Sequence, residues 1–344
     1  MTVRVGFLGA GNIARYHARN VAAAIEGADV DARIVGVHDP ADDGRAAAFV
    51  ERFGGEIAGS ASRLVDRADA VYVCTWTAAH PESVELAVGA GRAVFCEKPL
   101  GVDLATARRV HDALVSSARP HQVGLVLRRS PAFTVLRSLV QDEAAGAPMA
   151  ILFRDDQFLP VQGAYASTWR GDRTLAGSGV LMEHSIHDID LIEWMLGPIG
   201  RLSATMANHH GIDGIEDVAT VSFETASGAS GTLVTAWHDV LSRPSQRCVE
   251  VISAGRVSRL EGEWTGTISW EDAVGRHELV DDALLAHAAE THPEAANPDA
   301  AFLRCVERDE PCWPDAGDAL RSHIVIDAAH RAARDHVVVD ASPG

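Results

Sequence analysis

A glycine-rich turn near the N-terminus constrains the fold of this chain more than any other feature. The apolar run Val5–Leu8 leads into the sequence G-A-G-N-I-A of residues 9–14, and a helical pattern follows. A strand, a G-x-G-x-x-A turn and a helix in this order are typical of dinucleotide-binding domains. Gly9 permits the tight turn, Gly11 lets the backbone approach a diphosphate, and Ala14 still allows close packing of helix and strand.

The residues after the turn predict which dinucleotide binds. The amides of Asn12 and Ile13 begin a helix whose positive end suits a diphosphate. Asp39 ends the next apolar run, where a carboxylate would bind the adenosine ribose and repel a 2′-phosphate. We therefore expect NAD rather than NADP. The alternative is an ordinary turn aspartate before Pro40.

Composition limits the class of protein. The chain has 344 residues, which favours two domains, and a net charge of −18, which disfavours nucleic acid and anionic membranes as partners. No apolar run approaches the ~20 residues of a membrane span. Five scattered cysteines predict reduced, mostly buried thiols. Met1 leads almost directly into a predicted strand, so we expect no signal peptide. We expect a cytoplasmic protein.

Residues 1–125 alternate buried strands with helices, which predicts a doubly wound parallel sheet of the Rossmann type. The expected strands are Val3–Leu8, Arg33–His38, Ala70–Thr75, Ala93–Cys96 and Gln122–Val126. The expected helices are Ile13–Ile25, Ala46–Phe53, Pro81–Ala90 and Leu104–Ser116.

Residues 126–344 have a different pattern, with alternating strands joined by glycine-containing turns. This pattern predicts an α+β domain with a large, open, mostly antiparallel sheet. A helix is expected over Glu183–Leu196, further helices over Ala300–Arg308 and Gly317–Arg334, and a mobile loop around Thr291–Pro298.

A second motif lies about ninety residues after the glycine-rich turn. Glu97-Lys98-Pro99 closes the apolar run Ala93–Cys96, so Lys98 follows a strand of the parallel sheet. Open α/β sheets bind ligands at the carboxyl ends of their strands. An amine there would donate a hydrogen bond to a reacting hydroxyl and assist its deprotonation. The alternative is a surface lysine that happens to follow a strand.

These motifs together resemble the Gfo/Idh/MocA family, which is named for glucose–fructose oxidoreductase and inositol dehydrogenase. The resemblance covers nearly the full length and includes residues 75–80, residues 90–99 and the sequence I-H-D-I-D of residues 186–190. It implies a Rossmann domain followed by a domain with a large open sheet that is often used for oligomerisation, so we expect a homodimer or homotetramer. The chain departs from the family pattern at two positions: Trp76 stands where members of the family usually have a proline, and Glu183 stands where they usually have an aspartate.

The resemblance also implies site residues. Those expected to bind the cofactor, beyond the glycine-rich turn and Asp39, are Thr75, Trp76, His80, Glu97 and Lys98. Those expected to face the substrate are Arg128, Asp156, Arg170 and His238. For each of these four, an ordinary ion pair or a position on a sheet face is an open alternative.

His187 is the second candidate for proton transfer. On one continuous helix Glu183, His187 and Asp190 would share a face, opposite a stripe of core residues. A histidine between carboxylates suits acid–base chemistry near neutral pH, with Glu183 orienting it. The alternative is a structural histidine near a helix start. Metal binding by this group is not expected, because members of the family mostly work without metal.

We therefore expect an NAD-dependent dehydrogenase that oxidises a secondary hydroxyl of a sugar, polyol or glycoside. Two alternatives stay open. One is a redox-neutral family member that retains its NAD, such as a glycosidase or an internal oxidoreductase. The other is a non-catalytic sensor that binds nucleotide.

Overall fold

The computed structural model describes residues 2–41, 43–293 and 297–342, which form two compact units. The first unit comprises residues 2–125 and 297–320, and the second comprises residues 126–293 and 321–342. The sequence places the domain boundary after residue 125 and allows a helix of the second part to pack back on the Rossmann domain. In the structure the segment 297–320 belongs to the first unit. Its helix belongs to the first unit because Asp299 and Phe302 are fully buried among residues of that unit. Residues 294–296 of the expected mobile loop lie outside the described residues.

The described part of the first unit contains one parallel sheet with strand order β3-β2-β1-β4-β5-β6. The direction of the order reverses between β1 and β4, as in a doubly wound fold. The strands are β1 (Val3–Leu8), β2 (Ala32–His38), β3 (Glu56–Ile57), β4 (Ala70–Val73), β5 (Ala93–Cys96) and β6 (His121–Val123). The helices between them are α1 (Asn12–Glu26), α2 (Arg45–Phe53), α3 (Ala61–Arg67), α4 (His80–Gly89) and α5 (Leu104–Ser116).

The core of the first unit explains why its strands are apolar throughout. Every residue of β4 and β5 is buried. On one side of the sheet these strands pack with residues of α4 and α5, among them Val84, Val110 and Leu114. Strands that are covered on both faces have no polar face, so the continuous apolar runs in the sequence are a direct consequence of the architecture.

The second unit is built on a sheet whose described strands have the order β14-β13-β12-β11-β7-β10-β9-β8-β15. Only the β7–β10 pair is parallel among the described pairs of this sheet. The strands are β7 (Pro148–Phe158), β8 (Ile199–Ala207), β9 (Val218–Thr225), β10 (Ser230–His238), β11 (Gln246–Ser253), β12 (Arg256–Gly262), β13 (Gly266–Asp272), β14 (Gly275–Val280) and β15 (Val339–Asp340).

Helices cover the buried face of this sheet. They are α6 (Pro131–Gln141), α7 (Arg173–Ala176), α8 (Val180–Glu183), α9 (Ile186–Leu196), α10 (Asp282–Thr291) and the part of α12 (Ala316–Asp335) that follows residue 320, while α11 (Pro298–Arg308) belongs to the first unit. Inward residues of the strands, such as Phe153, Val221 and Leu260, share one core with Ile189 and Ile192 of α9. The predicted fold class is confirmed for both parts of the chain.

The helix predicted over roughly Glu183–Leu196 ends where expected, but it begins three residues later. The structure has α8 ending at Glu183 and α9 beginning at Ile186, with His184 and Ser185 between them. α9 also lacks a polar face, because Asp188 and Asp190 are as deeply buried as its apolar residues. The sequence reasoning also missed several elements, most of which are short or lie at the edge of a sheet: β3, α3, α6, α7, α8, α10, β14 and β15.

Two further findings concern the whole described chain. All five cysteines are free thiols, and Cys74, Cys96 and Cys312 are buried. Among the helices that the structure describes, none combines the length and the apolar character that crossing a bilayer requires.

Candidate functional site

The glycine-rich turn has the geometry of a phosphate-binding loop. Gly9 has φ +98°, and a Cβ at this position would lie 2.5 Å from the carbonyl oxygen of Cys74 at the end of β4. Only glycine therefore fits between these two strands. A Cβ on Gly11 would meet no atom within 4 Å, so the backbone of this residue borders open space.

Helix α1 begins beside this turn. Gly11 is its N-terminal cap and has no side chain that could cap the helix, and the first turn of α1 carries no acidic residue. The first amides of a helix need acceptors, and a diphosphate supplies them.

Asp39 lies beside the glycine-rich turn. Its Oδ2 accepts a hydrogen bond from the amide of Ala10 at 2.8 Å, and its Oδ1 accepts one from the amide of Ala41 at 2.9 Å. The side chain is half-buried, so the carboxylate is fixed at the end of β2, next to the turn that follows β1. This is the location expected of a ribose-binding carboxylate.

The loop after β4 carries the next predicted residues. The buried Oγ1 of Thr75 has no hydrogen-bond partner among the described residues, and Trp76 is partly exposed. His80 is buried, with Nδ1 2.7 Å from the carbonyl oxygen of Pro99 and Nε2 3.2 Å from that of Thr75. His80 therefore links this loop to the segment after β5.

Lys98 follows β5, the second strand from the edge of the sheet, and is half-buried. It joins Pro99 through a cis peptide bond. Lys98 is also the only lysine in the full sequence, because 29 of the 30 lysine and arginine residues are arginine. A guanidinium stays protonated, whereas an amine exchanges its proton readily.

The residues of the first unit fit a bound dinucleotide. The space over Gly11 and the N-terminus of α1 suit the diphosphate, and the Asp39 carboxylate suits the ribose. The unsatisfied Thr75 hydroxyl needs a partner that the described chain does not supply. Thr75, Lys98 and the turn all follow the carboxyl ends of strands of the same parallel sheet, so the fold places them at one edge.

Within the second unit, Glu183 is bound by an arginine. The carboxylate is buried, and its Oε2 accepts a hydrogen bond from Nε of Arg170 at 3.1 Å. Arg170 was predicted to face the substrate. His187 is half-buried in the first turn of α9.

Arg128 lies in an ion pair rather than on an open surface. Its Nε and Nη2 donate to the two carboxylate oxygens of Asp190 at 2.8 and 2.5 Å, and both side chains are buried. The guanidinium thus holds α9 to the turn at residues 126–129. A buried bidentate pair of this kind is a structural element, and breaking it would be strongly destabilising.

Asp156 and His238 lie close together at the ends of β7 and β10. Nε2 of His238 is 3.4 Å from Oδ2 of Asp156, and Nδ1 of His238 accepts the amide hydrogen of Val240. Burial opposes ionisation of Asp156, but hydrogen bonds from Arg243 and the charges of Arg243 and Arg154 outweigh it, so the pKa of Asp156 is lowered.

A buried charged cluster lies on the inner face of the sheet and was missed by sequence reasoning. Arg247 on β11 is fully buried, donates to Asp188 Oδ1 at 2.6 Å and Asp155 Oδ2 at 3.1 Å, and also binds Glu263. His184 Nε2 lies 2.7 Å from Asp155 Oδ2. The sequence of β7 contained a signal for this cluster. Ile151, Phe153 and Asp155 are spaced two residues apart and share the inner face of the strand, so Asp155 lies inside and Asp156 outside.

Burial is the main influence on the two carboxylates of this cluster. It raises the pKa of Asp188 to about 7, against the opposing charge of Arg247 and with help from the nearby Asp155. The pKa of Asp155 is also raised, first by burial, despite Arg247. Across residues 2–41, 43–293 and 297–342, no group of three or more His, Cys, Asp or Glu is arranged to hold a metal ion.

The turn, the carboxylate at the end of β2 and the lysine after β5 define a dinucleotide-dependent enzyme built on a Rossmann sheet. The pattern of the oxidoreductase family with an NAD-binding Rossmann fold matches residues 3–125, and that of the GFO/IDH/MocA C-terminal domain matches residues 133–257. The chain belongs to the Gfo/Idh/MocA family of oxidoreductases. The predicted family, NAD as cofactor and the predicted class of enzyme are confirmed.

Individual relatives agree with the family assignment. An inositol 2-dehydrogenase of Cereibacter sphaeroides is 32% identical over 232 residues, which are 66% of this chain and 65% of that protein. An inositol 2-dehydrogenase of Rhizobium meliloti is 28% identical over 349 residues, covering 96% of this chain and 97% of that protein. A solved levoglucosan dehydrogenase in complex with NADH is 19% identical, covers 100% of both chains and has a TM-score of 0.89, so it shares the fold.

Proposed function

We propose that this protein oxidises a secondary hydroxyl of an inositol-like polyol or a sugar, with NAD as the hydride acceptor. The observation that carries the proposal is the single lysine, which stands at the carboxyl edge of an NAD-binding sheet in a chain that uses arginine everywhere else. A relative that matches nearly the whole chain is named as an inositol 2-dehydrogenase, which supports a polyol substrate.

When bound, NAD would supply the acceptor for the hydride of the carbon that carries the hydroxyl, so the residues of the chain must manage the hydroxyl proton. In our proposal Lys98 donates a hydrogen bond to the reacting oxygen and His187 receives its proton. Glu183 orients the imidazole of His187. The hydrogen bond from Arg170 supports this assignment, because it fixes the carboxylate of Glu183 in turn.

The remaining residues divide between cofactor and substrate. We assign Gly9, Gly11, Asn12, Ile13 and Asp39 to the diphosphate and adenosine half of NAD. Thr75, Trp76 and Glu97 are assigned to its nicotinamide half, and His80 to support of that loop. Asp156 and His238 are the proposed contacts to substrate hydroxyls, with Arg128 and Arg170 acting through Asp190 and Glu183.

Replacing Lys98 tests the proposal directly. We expect Lys98→Met and Lys98→Arg each to bind NAD within about threefold of wild type and to lose about 10²–10⁴ in turnover with inositols or sugars, since acid–base help is of this size. The arginine variant is the matched control for charge, because it keeps the cation but not the exchangeable amine. Turnover is measured as NADH absorbance, and NAD binding by calorimetry.

Selective acetylation gives a second measurement that needs no variant. With one lysine, acetylation outside the α-amino group is confined to one amine, and mass spectrometry reports its extent. We expect activity to fall in proportion to acetylation of Lys98 and saturating NAD to slow the modification. Full turnover by either variant would overturn the assignment, and product formation without net NADH would indicate the redox-neutral route instead.

We also propose that two copies of the chain associate through the outer face of the nine-stranded sheet. Leu152 on β7, Val234 on β10 and Val257 on β12 are exposed on strands in the middle of this sheet. Apolar side chains that are exposed on the face of a sheet favour an interface between subunits.

A cytoplasmic location is proposed for the same protein. Five free thiols support it, because thiols persist in a reducing compartment. Fractionation of cells against a cytoplasmic marker enzyme tests this location, and recovery in a secreted or membrane fraction would contradict it.

A further inference from the structure

A histidine is held between two carboxylates in the interior of the first unit. His17 lies on α1, six residues after Gly11, and is fully buried. Its Nδ1 is 2.7 Å from Oδ1 of Asp299, and its Nε2 is 2.9 Å from Oε1 of Glu97. Asp299 is fully buried as well, and Glu97 nearly so. All three residues belong to the same compact unit.

Both nitrogens of His17 have acceptors, and this determines its charge. A neutral imidazole has one N–H, so only the protonated ring can donate a hydrogen bond to two carboxylates at once. Burial alone would lower the pKa of His17, but the charges of Asp299 and Glu97 and the hydrogen bonds to them raise it to about 10. The raised pKa and the two carboxylate acceptors favour an imidazolium at neutral pH, with one N–H facing each carboxylate.

The surroundings of His17 keep its ring in one orientation. The ring of Phe95 on β5 lies 4.7 Å away between centroids, and that of Tyr72 on β4 lies 5.7 Å away. The second oxygen of Asp299, Oδ2, accepts a hydrogen bond from Nδ2 of Asn20 at 2.8 Å. Two residues of α1, His17 and Asn20, therefore hold the carboxylate of Asp299.

Glu97 is the residue directly before Lys98, and its carboxylate is confined. A Cβ on Gly124 would lie 2.3 Å from Oε1 of Glu97, so the carboxylate packs against the backbone after β6. Within the described residues, His17 is the hydrogen-bond donor to this carboxylate. The imidazolium therefore ties the start of the Glu97-Lys98 segment to the helix whose first amides border the glycine-rich turn.

We propose that His17 is a positioning residue that holds the Glu97 carboxylate, and with it the Glu97-Lys98 segment, in register with the glycine-rich turn that binds NAD. The contact between Nε2 and Glu97 supports NAD binding and turnover, whereas the contact between Nδ1 and Asp299 holds the ring in place. This inference depends on NAD binding and not on which hydroxyl is oxidised.

Two substitutions separate the two sides of the imidazole. The amide nitrogen of asparagine reproduces the place of Nδ1, so His17→Asn keeps a donor to Asp299 and loses the one to Glu97. The longer glutamine reproduces the place of Nε2, so His17→Gln keeps a donor to Glu97 and loses the one to Asp299. We expect His17→Asn to raise the Kd for NAD about tenfold or more and to lower kcat at saturating NAD by a similar factor. His17→Gln should recover most of both.

The measurements are NAD binding by calorimetry, kcat by NADH absorbance and thermal stability of each variant. A role confined to packing would reduce the stability of both variants and leave NAD binding unchanged per folded molecule. Equal losses in both variants, or a Kd and a kcat within twofold of wild type for His17→Asn, would overturn the proposal.

Nuclear magnetic resonance of the wild-type protein keeps the proposal testable if the asparagine variant fails to fold. With ¹⁵N-labelled histidine, both nitrogens of His17 should carry protons from pH 6 to pH 9, with and without NAD. A neutral ring at pH 7 would contradict the proposal independently of activity.

Discussion

At the scale of single residues, we propose that Asp39 decides the choice between NAD and NADP. Its carboxylate is fixed by the amides of Ala10 and Ala41 beside the glycine-rich turn. We expect Asp39→Ser to raise the Kd for NAD about tenfold, because a charge-assisted hydrogen bond to the ribose is lost. The same change removes a charge that repels a 2′-phosphate, so the preference for NAD over NADP should narrow. Calorimetry with both nucleotides measures the ratio.

Asp43→Ser is the matched control for this prediction. Asp43 is exposed, pairs with Arg45 and lies four residues further along the chain, so its replacement changes the net charge equally. Its affinities for both nucleotides should equal those of wild type. An Asp39→Ser variant with the same NAD-to-NADP ratio as this control would show that Asp39 is only a turn residue.

The sequence predicted the locations of some site residues better than the contacts of others. The glycines, Asp39 and Lys98 belong to short motifs whose function depends on local backbone, so their places follow from the sequence. Arg128 was expected to face the substrate. In the structure its guanidinium donates hydrogen bonds to both carboxylate oxygens of Asp190, which lies sixty-two positions further along the chain. No local pattern identifies such a partner.

At the scale of elements, the break between α8 and α9 is imposed by tertiary contacts. Gly179 lies so close to the loop before β9 that a Cβ would be 1.8 Å from the carbonyl oxygen of Glu216. The carboxylate of Glu216 accepts the amide hydrogens of Gly179 and Leu181. The chain then turns at His184, which binds Asp155 on β7. These contacts outweigh the helical propensity of the sequence.

The helix α9 also carries a pH-dependent contribution to stability. Burial raises the pKa of Asp188 to about 7 from an ordinary value of 3.8, so the folded protein keeps a proton that the unfolded chain releases between these values. The folded state then binds more protons than the unfolded state, and stability from this group falls as pH rises from about 4 to about 7. The groups facing it are Asp155, Arg247 and His184.

Asp188→Asn should remove this slope. Relative to wild type, the free energy of unfolding of the variant should increase with pH by up to about 1.4 kcal/mol per unit between pH 5 and pH 7. Urea denaturation at half-unit steps measures it. Asp213→Asn, an exposed carboxyl, is the control and should follow wild type. A profile of Asp188→Asn that runs parallel to wild type would contradict the raised pKa.

At the scale of the whole molecule, the outer face of the nine-stranded sheet is the surface through which we propose that two copies associate. Leu152 is 55% exposed at the middle of this face. In the proposed dimer, Leu152→Glu would place a buried charge in the interface, so we expect a smaller particle than wild type with nearly unchanged thermal stability of the monomer. Light scattering on a sizing column measures the mass in solution.

Val274→Glu is the control for added charge on an exposed apolar residue. Val274 is 87% exposed in the turn between β13 and β14, so its replacement should leave the particle mass unchanged. A wild-type mass of 36.6 kDa, that of one chain, would exclude the dimer. Equal masses of wild type and Leu152→Glu would show that another surface makes the contact.

By itself the sequence determined the parallel sheet, the glycine-rich turn, the strand-ending Asp39 and Lys98, because each depends on residues that are adjacent in the chain. The tertiary structure decided the division of α8 from α9, the return of α11 to the first unit and the partners of the buried charges. His17, Glu97 and Asp299 lie 80 and 202 positions apart in the chain. They meet because burial forces each charged group to find a partner, and only the folded topology determines which partner is within reach.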